Sequence, residues 1–327
     1  MSILLSGSLA FDHIMVFPGH FEDHILPDKI HILNVSFLVD SLDRLRGGVA
    51  GNIAYNLALL HEPCRIVATV GEDFSTYREV LGAMGIDVSP ISVVPGELTA
   101  SAFITTDRSD NQITGFYPGA MRRAGDLSVT PHLSGIRMAV VSPTEPSAMA
   151  RHVRELTAAR CPYMYDPGQQ IIALSPAALI EGMDGASILV GNDYEFAMIA
   201  EKTGMSRDDL ERVCPIVAIT YGELGSRIFC DGVAYHIPAV RPHEVVDPTG
   251  AGDGYRAGLL VGLGAGLPVN IAGQLGSLAA TYVVESKGTQ GHAYTLPEFA
   301  ERFAREFPQS IDAVRDVLER APLVRSE

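Results

Sequence analysis

The chain reads as an α/β protein built on a doubly wound, mostly parallel sheet, with a small β insertion near its N-terminus. Two observations carry this. Apolar runs at residues 138–141, 163–165, 187–190 and 216–219 alternate with helix-length segments, and strands apolar on both faces mean a parallel sheet covered by helices on both sides. Around residues 13–46, by contrast, Pro18, Gly19, Pro27 and several histidines interrupt Phe17, Phe21, Ile30, Ile32, Val35, Phe37 and Leu38, so no long helix fits.

Taken in order, residues 3–5 are a short apolar strand, and Ser6-Gly7-Ser8-Leu9-Ala10-Phe11-Asp12 leaves its end. Ligands of open parallel sheets sit beyond the C-terminal strand ends, which makes Ser8 and Asp12 candidate binding residues. In residues 14–46, the alternation from Ile30 and Ile32 through Asn34 onward predicts strands of a small β lid that includes Ser36. Arg46-Gly47-Gly48-Val49-Ala50-Gly51-Asn52 is a glycine turn opening an apolar-faced helix. It lacks the G-x-G-x-x-G spacing of a dinucleotide fingerprint, which argues against a Rossmann oxidoreductase. Residues 65–70 form a strand followed by a helix. Residues 101–105 and 112–117 are two strands joined by a polar turn, the second piece of the lid, whose limits fall at about 13–46 and 98–120 in a single domain of residues 1–327. Phe103 and Phe116 are candidates for an aromatic clamp on a flat base, or for ordinary packing of hairpin on core.

Polar residues cluster after the later strands: Asp166-Pro167-Gly168-Gln169-Gln170, then Gly191-Asn192-Asp193-Tyr194-Glu195, then Thr220-Tyr221-Gly222-Glu223-Leu224-Gly225. All belong at one edge of the sheet. The centre of the chain's chemistry is Asp247-Pro248-Thr249-Gly250-Ala251-Gly252-Asp253, a turn running into the apolar helix of Ala257, Leu259 and Leu260. Gly250 and Gly252 let N–H groups converge at a helix N-terminus, where the unpaired donors and the dipole favour an anion. Asp253 inside such a cradle repels the ligand the turn attracts. It needs a compensating role, and taking a proton from an attacking hydroxyl supplies one. Residues 271–285 are an apolar helix closed by the loop 286–291; residues 296–305 and the charged tail read as surface packing.

The two glycine turns resemble the paired signatures of the PfkB (ribokinase) family of carbohydrate and nucleoside kinases, and the resemblance spans essentially the full chain. It is closer to bacterial adenosine and nucleoside kinases, through Phe17-Pro18-Gly19, Ser36-Phe37-Leu38-Val39-Asp40, Phe116-Tyr117-Pro118-Gly119-Ala120-Met121 and Asp166-Pro167-Gly168-Gln169-Gln170. The resemblance implies a ribokinase-like fold and ATP-dependent phosphorylation of a nucleoside 5′-hydroxyl, with adenosine or another purine nucleoside as substrate. Sugar kinases of the ribose and fructose type share the signatures, and a nucleotide-sensing protein without turnover is the reading outside enzymes. Carried over by position, Asp253 is the base, and Gly250, Ala251 and Gly252 form the anion cradle. Ser8, Asp12, Ser36, Gly48 and Asn52 hold the ribose, with Phe103, Phe116, Gln169 and Gln170 near the base. Asn192 and Glu195 organise phosphate and Mg2+, Glu195 through water. Thr220, Gly222 and Gly225 form the nucleotide loop. Asp247 and Thr249 are expected ligands of a monovalent cation such as K+, a role that His292, near the position of a hydroxyl ligand, puts in doubt.

Composition limits the partners. The chain has 327 residues and a formal charge of -15, which disfavours a nucleic-acid polymer or an anionic membrane, since both are bound through Lys and Arg patches. Cys64, Cys161, Cys214 and Cys230 form no Cys-x-x-Cys pair, so neither zinc nor a disulfide framework is suggested. No run approaches the ~20 apolar residues of a membrane span, and a cytoplasmic protein is expected. Exposed lid strands suggest a homodimer.

Overall fold

The computed structural model describes residues 2–25, 34–109 and 111–323. The expected strands at Ile30 and Ile32 lie outside these residues. In chain order the elements are β1 (Ser2–Ser6), β2 (Ala10–Val16), β3 (Ser41–Gly47), α1 (Val49–Leu59), β4 (Cys64–Val67), β5 (Thr69–Val70), α2 (Ser75–Ala83), β6 (Ser92–Val93), β7 (Ala100–Thr106) and β8 (Gln112–Tyr117). There follow β9 (Ile136–Val141), α3 (Pro146–Ala158), β10 (Tyr163–Tyr165), α4 (Pro176–Asp184), β11 (Ile188–Asn192), α5 (Asp193–Thr203), α6 (Arg207–Leu210), β12 (Ile216–Thr220), β13 (Ser226–Cys230) and β14 (Val233–Ile237). The chain ends with α7 (Ala251–Gly264), α8 (Val269–Val284), α9 (Leu296–Glu306) and α10 (Ile311–Leu318).

The main sheet has the order β14-β13-β12-β11-β10-β9-β1-β4, parallel from β4 to β12 and antiparallel through the terminal β13–β14 hairpin. Alternation within the strands fills two separate cores. Ile3 and Leu5 join Ile53, Leu57, Leu259 and Leu275 on one face, while Leu4 joins Met149, Leu179 and Phe196 on the other. The chain is therefore doubly wound, as its strand pattern predicts. Helices α7 and α8 lie backbone to backbone, because a Cβ on Gly258 would stand 2.5 Å from the Leu275 carbonyl oxygen. That contact locks the middle of α7 against α8.

The second sheet, β3-β2-β7-β8, has four strands. Its first strand begins at Ala10, so Asp12 is a strand residue rather than part of a turn. Ser36 is exposed and lies in no strand, against expectation; residues 34–40 approach β2 instead through a bond from the Asp40 N–H to the Val16 carbonyl. A second correction concerns the C-terminus. α9 buries Leu296, Phe299 and Phe303 and α10 buries Val314, Val317 and Leu318 in the first core, so this region is core and not surface packing. Its pattern is amphipathic, and the charged outer faces hid the apolar stripe. Among the described residues, no helix is long and apolar enough to cross a membrane.

Candidate active site

The C-terminal ends of β1, β10, β11 and β12 bring Ser8, Asp166, Asn192 and Thr220 to one edge, and the first turn of α7 enters there. Gly250 stands at the helix N-cap with φ 84°, a left-handed conformation that costs a side-chain-bearing residue energy. The Thr249 N–H is turned to Asp247 Oδ1 at 2.9 Å and the Ala251 N–H to the Pro248 carbonyl at 3.2 Å. Ala251 is thus a weaker cradle donor than expected. Gly250 and Gly252 have no hydrogen-bond partner for their N–H groups among the described residues, which leaves two convergent donors for an anion.

Asp253 lies one residue further on and is 8% exposed. Burial lifts its carboxyl from the ordinary range to about 7, against the pull of the Arg256 guanidinium and of the Asn52 amide. Asn52 Nδ2 donates to Asp253 Oδ2 at 2.8 Å. The amide is itself oriented: Gln290 Nε2 donates to Asn52 Oδ1 at 3.1 Å and to the Tyr77 hydroxyl, and Arg46 Nε reaches Gln290 Oε1 at 3.4 Å. With its oxygen committed to Gln290, Asn52 must present its N–H side to Asp253. One N–H of that amide remains for a ligand.

Asp12 is half-buried, and burial together with the charge of Asp247 raises its carboxyl to about 6. Ser8 Oγ accepts the Val49 N–H at 3.1 Å, capping α1. Gly48 has φ 87°, and a Cβ there would meet the Ser8 carbonyl oxygen at 2.6 Å; the chain's own backbone, not a ligand, accounts for that glycine. Asn192 and Glu195 form a capping box on α5, with Asn192 Oδ1 accepting the Glu195 N–H at 2.8 Å and Glu195 Oε2 accepting the Asn192 N–H at 2.8 Å. Glu195 Oε2 also stands 4.0 Å from Arg256 Nη2. Gln169 is exposed and Gln170 half-buried on the short helical turn Gly168–Ile172.

The aromatic clamp is corrected by strand register. Phe116 pairs with Ala102, which pairs with Asp12, whereas Phe103 pairs with Gly115 and with His13. Side chains of registered partners share a face and neighbours in sequence alternate, so Phe116 lies on the Asp12 face and Phe103 on the opposite one. There Phe103 stacks on His13, ring centroids 4.7 Å apart. The two rings cannot clamp one base from this sheet.

On the other side of the cradle is a cleft of about 510 Å³ lined by Thr220, Gly225, Val240, Pro248, Ala251 and Ala280. Gly222 contributes to its mouth with φ 58°, and Gly225 with φ 87° has no room for a Cβ, the Ile237 carbonyl oxygen standing 2.1 Å from where it would be. Cleft and Asp253 thus flank the free N–H groups. Asp247 anchors the loop 286–291 directly, its Oδ2 accepting the Gly288 N–H at 3.0 Å. His292 is turned away from Asp247: its Nε2–H donates to Asn56 Oδ1 at 2.9 Å, and burial lowers the ring to about 4, so it is neutral.

Sequence reading gave no role to Asp166, Gln290 and above all Arg256. Arg256 is 8% exposed and pairs with Asp166: Nη2 donates to Oδ1 at 2.7 Å, and Nε lies 2.6 Å from Oδ2 as an ion-pair contact whose geometry makes no hydrogen bond. Burial disfavours its charge, but Asp166, Asp253 and Glu195 more than offset this and hold it above its usual value. The signal was present: an arginine between Tyr255 and Ala257 in an apolar helix needs a buried anion.

Residues 9–295 match the pfkB family of carbohydrate kinases. The chain is 33% identical over 309 residues to the nucleoside kinase of Methanothermobacter thermautotrophicus, covering 93% of this chain and 96% of that protein. Among solved structures, the nucleoside kinase of Burkholderia thailandensis in complex with inosine is similar at TM-score 0.85 and 38% identity, over 94% of this chain and 98% of that one. The nucleoside kinase of Methanocaldococcus jannaschii, described as an archaeal member of the ribokinase family, is similar at TM-score 0.84 and 28% identity, over 93% and 99%. Motifs, fold and relatives agree: the architecture is ribokinase-like, and this chain belongs to the pfkB family, a phosphotransferase with an alcohol acceptor.

Proposed function

We propose that this chain is an ATP-dependent nucleoside kinase that phosphorylates the 5′-hydroxyl, with a purine nucleoside as substrate. The observation that carries the reading is a buried carboxylate, Asp253, placed between two free N–H groups and the Asn52 amide, with the 510 Å³ cleft on the far side of the cradle. A nucleoside rather than a free sugar is supported by the inosine complex of the Burkholderia protein and by its second complex, with ADP–inosine, at 39% identity.

Asp12 and Asn52 take the ribose hydroxyls, and the 5′-oxygen is directed at Asp253. The new bond forms between that oxygen and the γ-phosphorus as the bridging P–O bond to ADP breaks. Asp253 accepts the hydroxyl proton and later returns it to solvent. Gly250 and Gly252 donate to the phosphoryl oxygens, with Ala251 assisting, and Thr220, Gly222 and Gly225 border the remaining nucleotide. Phe116 serves the base, beside the loop of Gln169 and Gln170. Ser8 and Gly48 act through the turn they stabilise, and Ser36 reaches the ribose only if its segment moves inward.

Among the described residues no three His, Cys, Asp or Glu side chains form a metal cage, but magnesium needs only one or two carboxylates beside its waters, and Asp166, Asp253 and Glu195 share a single guanidinium. Glu195 would hold it through water, with Asn192 positioning that carboxylate. Bound there, the ion supplies charge neutralisation on the phosphates. A monovalent ion fits less well, because Asp247 already bonds Thr249 and Gly288 directly and His292 faces Asn56. The four-stranded sheet acts as the lid over the acceptor, tied to the core by Lys287 Nζ on Asp43 Oδ2 at 2.6 Å. Its outer face, with exposed Leu42, Phe103 and Ile113, suits a second copy of the chain. Sedimentation showing only monomer at working concentration overturns that pairing.

The test is a single-turnover assay with γ-labelled ATP over adenosine, inosine, guanosine, cytidine, ribose and fructose. Transfer to purine nucleosides is expected; transfer confined to the free sugars rejects the reading in favour of a sugar kinase. Labelled phosphate passing to none of them leaves a nucleotide sensor.

A further inference from the structure

Arg256 sits three residues after Asp253 on α7 and therefore on the same side of the helix. Side chains on a helix lean toward its N-terminus, and Arg256 does so. An ideal Cβ on Gly252 would stand 2.6 Å from Arg256 Nη1, so the guanidinium edge lies against the backbone of the cradle itself. The other edge faces Asp166, with Nη2 donating to Oδ1 and Nε in ion-pair contact with Oδ2 without a hydrogen bond, and Glu195 Oε2 lies 4.0 Å from Nη2. Nη1 has no hydrogen-bond partner among the described residues, and it is not one of the buried polar atoms cut off from solvent.

A guanidinium paired with one carboxylate, with its remaining nitrogen free beside the donors of an anion site, has the build of a phosphoryl-binding arginine. The missing side chain of Gly252 then does two things. It lets the N–H groups converge, and it leaves the space through which Nη1 faces the anion. We propose that Arg256 is a catalytic residue: Nη1 donates to an oxygen of the transferring phosphoryl group as an arginine supplied from within the cradle, and Asp166 is the positioning residue that aims it. This goes deeper into the phosphoryl-transfer reading above and rests on it. No other bond changes; Arg256 stays protonated throughout, and Asp253 remains the proton acceptor.

Removing Arg256 alone strands Asp166 in the interior, and such a chain can fail to fold. The test therefore compares Arg256→Lys with the double variant Arg256→Gln/Asp166→Asn, which removes both charges and keeps a hydrogen-bonded pair. Each is checked for a wild-type circular dichroism spectrum and assayed with whichever acceptor of the panel the wild-type enzyme uses. The expected result is a kcat lower by about 10²–10³-fold, the range for one lost transition-state donor, with KM for the acceptor and affinity for ADP within a few-fold. Affinity for ADP with aluminium fluoride and inosine, a transition-state mimic, should fall in parallel with kcat while affinity for ADP with inosine does not. A residue with only a structural role would weaken both complexes alike. A kcat within about 3-fold of wild type in either folded variant, or equal loss of both affinities, overturns the proposal. Failure of the functional reading itself looks different: the wild-type enzyme then transfers to sugars only, or to nothing.

Discussion

The two sides of the reaction centre are built differently. At the start of α7, Asp253, Asn52, Arg256 and Asp166 are all at most 8% exposed, and each is held by a neighbour through a hydrogen bond of 2.7–2.8 Å. On the acceptor side, Phe116 of the four-stranded sheet is 53% exposed, and Ser36 is exposed in a segment that forms no strand. The proposed phosphoryl side is held in place by the protein's own contacts, while the proposed acceptor side offers surfaces that only a ligand or a closing movement buries. A catalyst that works by positioning and electrostatics benefits from that division, because donors aimed in advance at the developing charge need no reorganisation during transfer.

Substitutions can break or sharpen this contrast. The largest effect is expected on the prearranged side. Gly252→Ala puts a methyl group where Arg256 Nη1 lies and should lower kcat by about 10²-fold while KM for the acceptor stays within a few-fold, measured in steady state. An unchanged kcat would mean that the guanidinium does not face the cradle.

On the acceptor side the losses should fall on binding. Asp12→Asn removes a charged acceptor of two hydroxyls and is expected to raise KM for the nucleoside roughly 10- to 100-fold, as charge-assisted bonds of about 1.5–3 kcal/mol imply. A pure kcat defect contradicts the ribose assignment. Next, Phe116→Ala should weaken nucleoside binding about 5- to 10-fold, at the lower end of what one stacked base contributes, whereas Phe103→Ala leaves it unchanged because that ring is on the outer face. Equal effects of the two, read by calorimetry, would contradict the register argument.

A smaller and opposite effect is expected in stability. With its folded value raised to about 7, Asp253 keeps its proton in the native state through a range where the unfolded chain has lost it. The folded protein binds more protons there, so this group costs stability increasingly as pH rises from about 4 to 7, and fully above that. Asp253→Asn carries no such cost. Its melting temperature should exceed that of the wild-type protein at pH 8, and the gap should narrow toward pH 5. A constant gap in a pH series of thermal melts would argue that the carboxyl is not raised.

What was legible in the sequence follows the same division. The parallel sheet announced itself because strands buried on both faces leave unbroken apolar runs, and the cradle because Gly250 and Gly252 serve a backbone geometry that few other residues tolerate. The site's supporting side chains were harder to see. Gln290 and Asp166 come from loops 238 and 90 residues away from the groups they orient, and only the fold joins them to Asn52 and Arg256. Phe103 and Phe116 were both found as lid aromatics, yet their faces depend on register, which the turn of the hairpin did not fix in advance. The C-terminal helices were misread because charged outer faces mask a narrow apolar stripe, and Ser36 because alternation of polar and apolar residues marks an extended chain without guaranteeing a partner strand.

The central claim is that a buried carboxylate inside an anion cradle takes the proton of the attacking hydroxyl. Its most direct test is the pH dependence of kcat/KM for wild-type enzyme and Asp253→Asn, measured with saturating ATP from pH 5 to 9. The base works only when ionised, so the wild-type value should be low in acid and rise with unit slope to a plateau above about 7. Asp253→Asn should bind nucleoside normally and lie about 10²–10⁴-fold lower across the range, without that acidic limb. An Asp253→Asn enzyme that keeps the wild-type plateau and the same limb would contradict the account.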